Sequence, residues 1–402
     1  GSVGKTTTKV AIGTVLAGKF RIRLHEGNHN AEISTPLSIL GIEHPDNLRS
    51  VGQWLAVFRA AKQRIRQPSD VDVIVQEVGT DGIGQIPHFG TYARPDITVV
   101  TAVAPEHMEF FGTIEAVAKE ELAAVNFSKQ AIINRDDIDG DFARYVSNPN
   151  ISTYGDSPTA EYAMMTTGTT ASDGVEATFQ AKEVAPMSVK LKVMGEQGVR
   201  AAAGAGAVGL ALGMAPAEVK TGLESIAPVK GRMNPLRGVE DSLIIDDSYN
   251  SSPLAAAAAL RVLYGLSAPQ KIAVLGSMNE LGEMSADAHD ALGSLCDPSQ
   301  LAHVVTVGDE AEKHLAPAAR RNGCHVASFQ TALEAGAYVH KVMESGAAIL
   351  FKGSQGGIYL EEAIKIVLHS TDDEDQLVRQ TPKWLATKQA FFESFSSAQP
   401  ES

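Results

Sequence analysis

The 402-residue sequence predicts an α/β protein in which parallel sheets occur in two successive domains. Two nearly continuous apolar runs, 71–78 and 97–103, are typical of parallel strands that are covered on both faces. Segments with helical periodicity alternate with such runs, which is the pattern of sheets with crossover helices. The sequence also opens on a glycine-rich run, GSVGKTTT, whose composition suits a loop around phosphate groups. We therefore expect a phosphate-loop (P-loop) domain followed by a doubly wound, Rossmann-like C-terminal domain.

The remaining elements of the first domain follow in order. We expect a helix over 114–125 and then a short strand over 131–134. The segment 158–193 is rich in Thr, Val and turn residues, which favours an antiparallel excursion from the parallel sheet. The alanine- and glycine-rich stretch 201–215 is shorter than a bilayer requires and indicates a closely packed core helix. The two helices expected in this region cover 196–214 and 217–226.

A second α/β unit is expected after Gly231, because short apolar runs again alternate with helical segments rich in alanine and leucine. We place the first domain at 1–237 and the second at 238–370. An acidic and polar tail follows at 371–402, with a helix near 384–392. The expected strands of the second sheet are 243–245, 272–275, 303–307, 325–328 and 348–351.

Charge and cysteine usage exclude several classes of protein. The formal net charge of −14 argues against broad nucleic-acid binding and against docking on an anionic membrane surface. Cys296 and Cys324 are the only cysteines, so the sequence predicts neither a disulfide framework nor a cysteine-rich metal site. No secretory signal is recognisable at the start. We expect a cytoplasmic monomer without a membrane partner.

The opening run predicts nucleotide binding. Glycines let backbone N–H groups face phosphate oxygens, Lys5 reaches the terminal phosphates, and the Thr6 hydroxyl is suited to Mg²⁺. The alternative is a glycine-rich linker, and the run alone does not decide between the two. Because the strand that feeds such a loop does not precede it in the sequence, we expect the sequence to be a fragment. The expected phosphate-binding residues are Gly1, Ser2, Gly4, Lys5, Thr6 and Thr7.

Further segments occur in the order seen in one enzyme family, and together they resemble the Mur ligases from residue 1 to about residue 366. They look most like the branch that joins D-alanyl-D-alanine (D-Ala-D-Ala) to UDP-N-acetylmuramoyl-tripeptide (a UDP-MurNAc-peptide). The resemblance implies a central ATPase domain and an ATP- and Mg²⁺-dependent ligase of peptidoglycan precursor synthesis. Such an enzyme joins a carboxylate to an amine through an acyl phosphate. The segments are GSVGKTTTK, EGNHNAEISTPLSILG, EVGTDGIGQI, RPDITVVTAVAPEHMEFFGTIEAVAKEE, INRDD, GRMNPLRG, DDSYNSSP, VLGSMNELGEMS and FKGSQ.

The resemblance also assigns roles to single residues. Glu77 and His107, each after an apolar strand, would hold magnesium, and Arg232 would contact the ATP phosphates. An ordinary solvated glutamate and a surface histidine are the alternatives for the first two. The resemblance implies that Asn134 lies near the nucleotide base. It also implies that Asp246 or Asp247 contacts the ribose, with Tyr249 and Asn250 beside them. Lys352, Gly353 and Ser354 would form a lysine loop at the active site. For the aspartates, a turn that ends a strand is the alternative. Glu26, Gly27, Asn28 and Asn30 resemble the loop that binds the incoming acceptor, with a plain turn as the alternative.

Three departures from the family pattern concern the amine substrate more than the ATP chemistry. Many Mur ligases carry a carbamylated lysine where this sequence has Glu121, and we hypothesise that this carboxylate replaces the carbamate as a magnesium ligand. An exposed helix glutamate is the alternative. Ala31 and Ser34 replace Asn and Gly of the acceptor loop. The remaining departures are Gln355 in place of an arginine, and Gln197 with Gly198 in place of a His-Asn pair.

Other functions stay open from the sequence. Another Mur branch or a folylpolyglutamate synthase would share these motifs, although the Asp-Asn-Pro-Arg motif of the diaminopimelate-adding branch is missing. A noncatalytic nucleotide-binding scaffold with the same fold is a different class. A P-loop NTPase that couples hydrolysis to motion would turn over ATP without an acceptor. The family's UDP-binding domain does not precede the loop, so we expect the chain as given to be truncated, and loss of activity through this truncation stays open.

Overall fold

A computed structural model describes residues 1–24, 34–45, 47–170, 174–182 and 184–396 of the chain. The chain folds as two compact units, Gly1–Ala227 and Pro228–Ser402. The division lies before the boundary expected near residue 237, because strand β9 (Asn234–Arg237) pairs antiparallel with the first long strand of the second sheet. Segment 228–237 therefore packs with the second unit.

The first unit contains a six-stranded mixed sheet in the order β3-β4-β5-β6-β7-β8. The strands β3 to β6 run parallel, and β6, β7 and β8 form the expected antiparallel excursion. A separate parallel pair joins β1 and β2. Only Val73–Val75 of the expected strand 71–78 is extended, and Ile74 is exposed, so full coverage of both faces was wrong for this strand. The strands are β1 (Ile22–Leu24), β2 (Val73–Val75), β3 (Ile97–Val100), β4 (Gln130–Asn134), β5 (Ile151–Gly155), β6 (Tyr162–Thr170), β7 (Gly174–Ala181) and β8 (Val184–Leu191).

The helix α7 forms the centre of this unit. Its small residues let it lie close to the sheet: a Cβ added at Gly206 would come within 2.7 Å of the Phe179 ring. Burial of alanine and glycine along nearly the whole helix confirms the expected core helix. The helices of the unit are α1 (Lys5–Ala17), α2 (Ser34–Leu40), α3 (Val51–Arg66), α4 (Gln85–Tyr92), α5 (Met108–Phe111), α6 (Ile114–Phe127), α7 (Gly195–Ala211) and α8 (Pro216–Glu224).

The second unit contains a six-stranded sheet in the order β13-β12-β11-β14-β10-β9, parallel except for the edge strand β9. Apolar side chains of its central strands are fully buried, which explains why each of these strands was recognisable as an apolar run. This sheet confirms the doubly wound expectation. Its other strands are β10 (Leu243–Asp247), β11 (Lys271–Gly276), β12 (His303–Val307), β13 (Val326–Phe329) and β14 (Ala348–Lys352).

The segment after residue 370 is part of the second unit's packing. Leu377 joins the hydrophobic core, and both Arg379 and Lys388 are buried. The expected terminal helix is present as α14, longer than the sequence indicated. The helices of the second unit are α9 (Pro253–Gly265), α10 (Ser285–Ser294), α11 (Ala316–Arg321), α12 (Ala332–Val342), α13 (Glu361–Val367) and α14 (Pro382–Ser396).

Candidate active site

The opening loop of the first unit lies at the carboxyl end of β3. The Ser2 nitrogen donates to the Ala102 carbonyl over 2.8 Å, and the Ser2 hydroxyl accepts from the Ala104 nitrogen over 3.1 Å. Gly4 has a φ of 82°, a left-handed conformation that favours glycine, and it immediately precedes α1. The N-terminal N–H groups of α1 are thus presented beside the loop, which is the arrangement that binds phosphate.

Lys5 keeps its positive charge in this loop. Its ammonium lies 3.2 Å from the Ser2 carbonyl and 3.4 Å from the Glu106 carboxylate. Burial by itself lowers the pKa of Lys5, but the negative charges of Glu106, Glu121 and Glu77 outweigh it, and the pKa is raised. A charged ammonium over the loop is what stabilises terminal phosphates.

Glu77 lies two residues beyond β2 and turns its carboxylate toward the start of α1. The Thr6 hydroxyl donates to its Oε1 atom over 3.2 Å, and the Lys9 ammonium lies 3.2 Å from its Oε2 atom. Glu77 is buried, so the alternative of a solvated loop carboxylate is wrong. A hydroxyl and a carboxylate oxygen at this spacing are hard donors that suit adjacent positions around Mg²⁺.

The other two expected metal ligands also lie in this unit. His107 has a φ of 52° and precedes the short helix α5, and Glu121 lies in α6. Glu121 is buried, with its Oε2 atom 2.6 Å from the Gly1 nitrogen, so it is not an exposed helix glutamate. Within the described part of the chain, no three His, Cys, Asp or Glu side chains are grouped as a metal site. Glu77, His107 and Glu121 therefore do not form one preassembled ligand set.

Glu120, the neighbour of Glu121, has a role that the sequence did not indicate. Its two carboxylate oxygens accept hydrogen bonds from the Gly84 nitrogen over 2.8 Å and the Ile86 nitrogen over 2.6 Å. These donors belong to the first turn of α4, where unpaired N–H groups and the helix dipole favour a negative charge. Glu120 thereby fixes the end of the loop that begins at Glu77. Two consecutive glutamates in one helix give no sequence signal of which partners each will reach.

Asn134 ends β4 as expected, but its side chain is occupied within the unit. Its amide nitrogen donates to the Thr101 carbonyl over 2.6 Å and to Asp137 over 2.8 Å, and its carbonyl accepts from the Asp136 nitrogen over 2.9 Å. Asp137 is in turn paired with Arg200 of α7 over 2.7 Å. Asn134 therefore ties the ends of neighbouring strands together, and its contact with a nucleotide base stays a prediction.

Gln197 of α7, which replaces a residue of the family's His-Asn pair, lies against the opening loop. A Cβ added at Gly4 would come 3.3 Å from the Gln197 amide oxygen. The amide nitrogen of Gln197 is buried and has no hydrogen-bond partner among the described residues. A buried donor of this kind is costly unless a ligand accepts from it, so this position marks a point where a bound group fits.

In the second unit, the expected aspartates end β10. Asp246 is fully buried, and its carboxylate accepts from the Gly231 nitrogen over 3.1 Å and the Ser248 hydroxyl over 2.6 Å. Burial raises the pKa of Asp246 to about 6, although the hydrogen bonds from Ser248 oppose this shift. Asp246 thus ties segment 231–233 to the loop that follows β10, which is the turn-type role considered as the alternative.

Asp247 forms a buried ion pair with Lys352. The two residues face each other in register on the parallel strands β10 and β14, and the Lys352 ammonium lies 2.9 Å from Asp247 and 2.6 Å from the Asn250 carbonyl. Burial lowers the pKa of Lys352, and Asp247 partly opposes that shift. Lys352 is therefore the last residue of a strand and not part of a loop. The following residue of the expected set, Ser354, is buried and accepts from the Asn279 nitrogen over 2.9 Å.

Arg232 lies beside the same aspartates. Its guanidinium stacks over the Tyr249 ring at 4.3 Å, and the Tyr249 nitrogen donates to the Gly231 carbonyl over 3.1 Å. Stacking on an aromatic ring fixes the plane of a guanidinium while leaving its N–H groups available for an anion. The structure thus brings together Arg232, Asp246, Asp247, Tyr249, Asn250 and Lys352 within the second unit.

Arg379, which the sequence did not indicate, stabilises the loop that follows β10. Its guanidinium makes two hydrogen bonds to the Glu361 carboxylate, over 2.7 Å and 2.6 Å, in the bidentate geometry that arginine favours. It also donates to the Ser248 carbonyl over 2.8 Å and the Tyr249 carbonyl over 3.1 Å. The loop after Asp247 is therefore held by a buried arginine that is more than 100 residues away in the sequence.

The expected acceptor residues Glu26, Gly27, Asn28 and Asn30 lie outside the described residues, as does Ala31. The comparisons with known proteins agree with the two-unit architecture. A Mur ligase middle domain model matches residues 1–209, and a Mur ligase, glutamate ligase domain model matches residues 231–355.

Relatives and solved structures cover nearly the whole chain. The UDP-N-acetylmuramoyl-tripeptide–D-alanyl-D-alanine ligase of Bacillus subtilis strain 168 is 27% identical over 382 residues, which are 92% of this chain and 75% of that protein. The structure of MurF from Acinetobacter baumannii is similar in fold, with a TM-score of 0.74 and 23% identity over 90% of this chain and 74% of that one. MurF ligase from Thermotoga maritima in complex with ADP gives a TM-score of 0.71 and 23% identity, over 91% of this chain and 77% of that one. Because the middle-domain model alone matches more than half of the residues, this chain belongs to the Mur ligase family.

Proposed function

We propose that the chain carries the ATP-dependent core of a ligase that joins D-Ala-D-Ala to the carboxylate of a UDP-MurNAc-tripeptide. The named relative is a ligase for that pair of substrates, and the similar MurF ligase structure from Thermotoga maritima holds ADP. The observation that carries the proposal is the cluster of Lys5, Thr6 and Glu77 at the start of α1, with Thr6 and Glu77 oxygens 3.2 Å apart. A cytoplasmic site of action fits these nucleotide-linked substrates.

The proposed reaction proceeds through an acyl phosphate. The γ-phosphoryl group of ATP passes to a carboxylate oxygen of the peptide, and the amine of D-Ala-D-Ala then attacks the acyl carbon and releases phosphate. Lys5 would stabilise the charge on the transferred group, and the N–H groups at the start of α1 would orient the phosphates. Thr6 and Glu77, whose oxygens lie 3.2 Å apart, would hold Mg²⁺, which supplies further neutralisation of the phosphate charge, and His107 and Glu121 stay predicted ligands.

The second unit would contribute the groups that the family resemblance implies. Arg232, with its guanidinium plane fixed by Tyr249, would contact ATP phosphates, and Asp247 or Asn250 would contact the ribose. Lys352 is paired with Asp247, so we propose that it orients that carboxylate. Glu26, Asn28, Asn30 and Ser354 would serve the acceptor, and Asn134 the base.

Phosphate release tests the proposal directly. The chain is mixed with ATP, Mg²⁺ and UDP-MurNAc-tripeptide, with and without D-Ala-D-Ala, and L-Ala-L-Ala is the matched control acceptor. We expect release that requires both substrates and is stereospecific. Release without any acceptor would indicate an NTPase, and ADP binding by calorimetry without release would indicate a nucleotide-binding scaffold.

Glu121→Gln tests the carbamate replacement. The substitution keeps the shape of the side chain but removes a charge that is buried next to the loop. We expect the Mg²⁺ concentration for half-maximal phosphate release to rise about tenfold, a loss typical of one weakened metal contact. Calorimetric Mg²⁺ titration of the ADP-bound chain gives a second readout. Glu115→Gln, on the first turn of the same helix, is the control, and unchanged magnesium dependence in E121Q would remove Glu121 from the ligand set.

A further inference from the structure

The helix α3 has two faces with opposite environments. One face packs on the first unit, with Val57 buried and Trp54, Ala61 and Arg64 partly buried. The adjacent face carries large apolar side chains that are exposed. Its members are 53–73% exposed: Val51 73%, Leu55 53%, Phe58 62% and Ile65 71%.

The side chains of the exposed face form one continuous stripe along the helix. Positions 51, 55, 58, 62 and 65 recur at the spacing of a single helix face, so these side chains lie one above another. Leu48, also exposed, extends the stripe at the start of the helix, where its carbonyl accepts from the Trp54 indole nitrogen over 2.9 Å. Single exposed apolar residues are ordinary, but four that are aligned on one helix face and extended by Leu48 mark an interaction surface.

The charge along helix α3 itself is opposite to that of the whole chain, although Arg64 near its end is paired with Asp70, which follows the segment. Segment 47–69 contains five basic residues and no acidic residue, whereas the chain has a formal net charge of −14. Lys62 lies within the stripe, and Arg59 and Arg66 lie beside it, all three exposed. Long basic side chains of this kind lay their aliphatic stems along apolar surface and keep the charged end in a polar layer.

We propose that α3 is an interfacial helix that docks the chain on an anionic lipid surface. The apolar stripe would enter the boundary between headgroups and acyl chains, and Arg59, Lys62 and Arg66 would contact lipid phosphates. The net charge led to the opposite expectation, because it averages over a surface on which this segment is a positive exception. Among the described helices, none has the length and the apolar character to cross a bilayer.

Charge and geometry disfavour the other occupants of this face. A symmetric pairing of two copies would place the same basic segment on both sides of one interface, and the like charges would repel. A protein groove that enclosed the stripe would bury the Lys62 ammonium, which is unfavourable without a matched carboxylate. At a lipid surface, the same ammonium reaches the phosphates without being buried.

Vesicle flotation of the full chain tests the proposal. One set of vesicles contains phosphatidylcholine alone, and the other contains about one part in three of phosphatidylglycerol. We expect binding to the anionic vesicles that is at least tenfold stronger than binding to the neutral ones and that weakens at high salt. Absence of binding to the anionic vesicles would overturn the proposal.

Three variants locate the binding. Leu55→Asp with Phe58→Asp removes the apolar anchor, and Arg59→Gln with Lys62→Gln and Arg66→Gln removes the charges; each is expected to weaken binding at least tenfold. Leu295→Asp with Leu333→Asp is the matched control, because these two residues are exposed apolar side chains of the other unit. Thermal unfolding verifies that each variant is folded.

The remaining outcomes decide between a lipid surface, a second copy of the chain and a protein partner. Equal vesicle binding by the L55D/F58D variant and the control would overturn the proposal. A dimer in light scattering that only L55D/F58D abolishes would assign the face to a second copy, and a soluble acidic protein that competes with vesicles would assign it to a protein partner. Phosphate release is expected to be unchanged in all three variants, so failure of this proposal is separable from failure of the ligase assignment.

Discussion

Replacing Arg379 by methionine is expected to lower the free energy of unfolding of the second unit by about 3–5 kcal/mol. The arginine side chain is 4% exposed and Glu361 is fully buried, so the substitution leaves a carboxylate inside the protein without its bidentate partner. Lys388, 3.4 Å from Glu361, compensates only in part. The carbonyls of Ser248 and Tyr249 also lose their donors, which loosens the loop after β10.

Tryptophan fluorescence during urea unfolding measures this effect. The chain has two tryptophans, and in a Trp54→Phe background only Trp384 of α14 remains as a reporter on the second unit. Arg321→Met is the matched control, because the Arg321–Asp290 pair is largely exposed and should contribute less than about 1 kcal/mol. Adding Glu361→Met to R379M should recover part of the stability, since no unpaired carboxylate then remains. Similar losses in R379M and R321M would contradict the buried-pair account.

The fold was predictable from the sequence because its strands are local apolar runs. The parallel strands of the second sheet and the antiparallel excursion of the first were both recognisable from composition. Their predicted bounds lie within a few residues of the observed ones. The length and the burial of strand β2 were overestimated, because an apolar run does not reveal whether other elements cover both faces of the strand. The alanine- and glycine-rich α7 was recognisable because such side chains allow close packing anywhere in a core.

The candidate site was predictable only where a motif carries it. Lys5, Thr6 and Glu77 come together as the motifs imply, since each follows directly from a loop or a strand end. Arg379 was missed because an arginine in a polar, acidic segment has the same local sequence whether it is solvated or paired with a buried Glu361. Long-range pairing of this kind leaves no signal in composition or periodicity.

The distribution of charge along the chain also limited what the sequence could predict. The net charge excluded an anionic surface for the chain as a whole, yet segment 47–69 carries only positive charges. The sequence contained this information, but only the exposure of Val51 and Phe58 shows that the apolar stripe is not part of the core. The structure was therefore needed to distinguish a packing face from an interaction face.

Lys5→Met should lower the rate of phosphate release by about 100- to 1000-fold, the effect of removing one preorganised donor from a developing charge. The ammonium is held at the mouth of the loop by the Ser2 carbonyl and Glu106, and the surrounding carboxylates keep it charged. The same charge acts on ground-state ATP only through phosphates that solvent and Mg²⁺ already neutralise. We therefore expect the maximal rate to fall more than the affinity for ATP.

Single-turnover phosphate release at saturating ATP, together with calorimetric ATP binding, separates these two effects. Lys19→Met is the control, because Lys19 lies just beyond the same helix and makes a half-exposed pair with Glu218. A K5M variant whose ATP affinity falls as much as its rate would make Lys5 a binding residue. A variant that releases phosphate at the normal rate would place the phosphoryl transfer away from this loop, and the ligase proposal for the first unit would then lose the observation on which it rests.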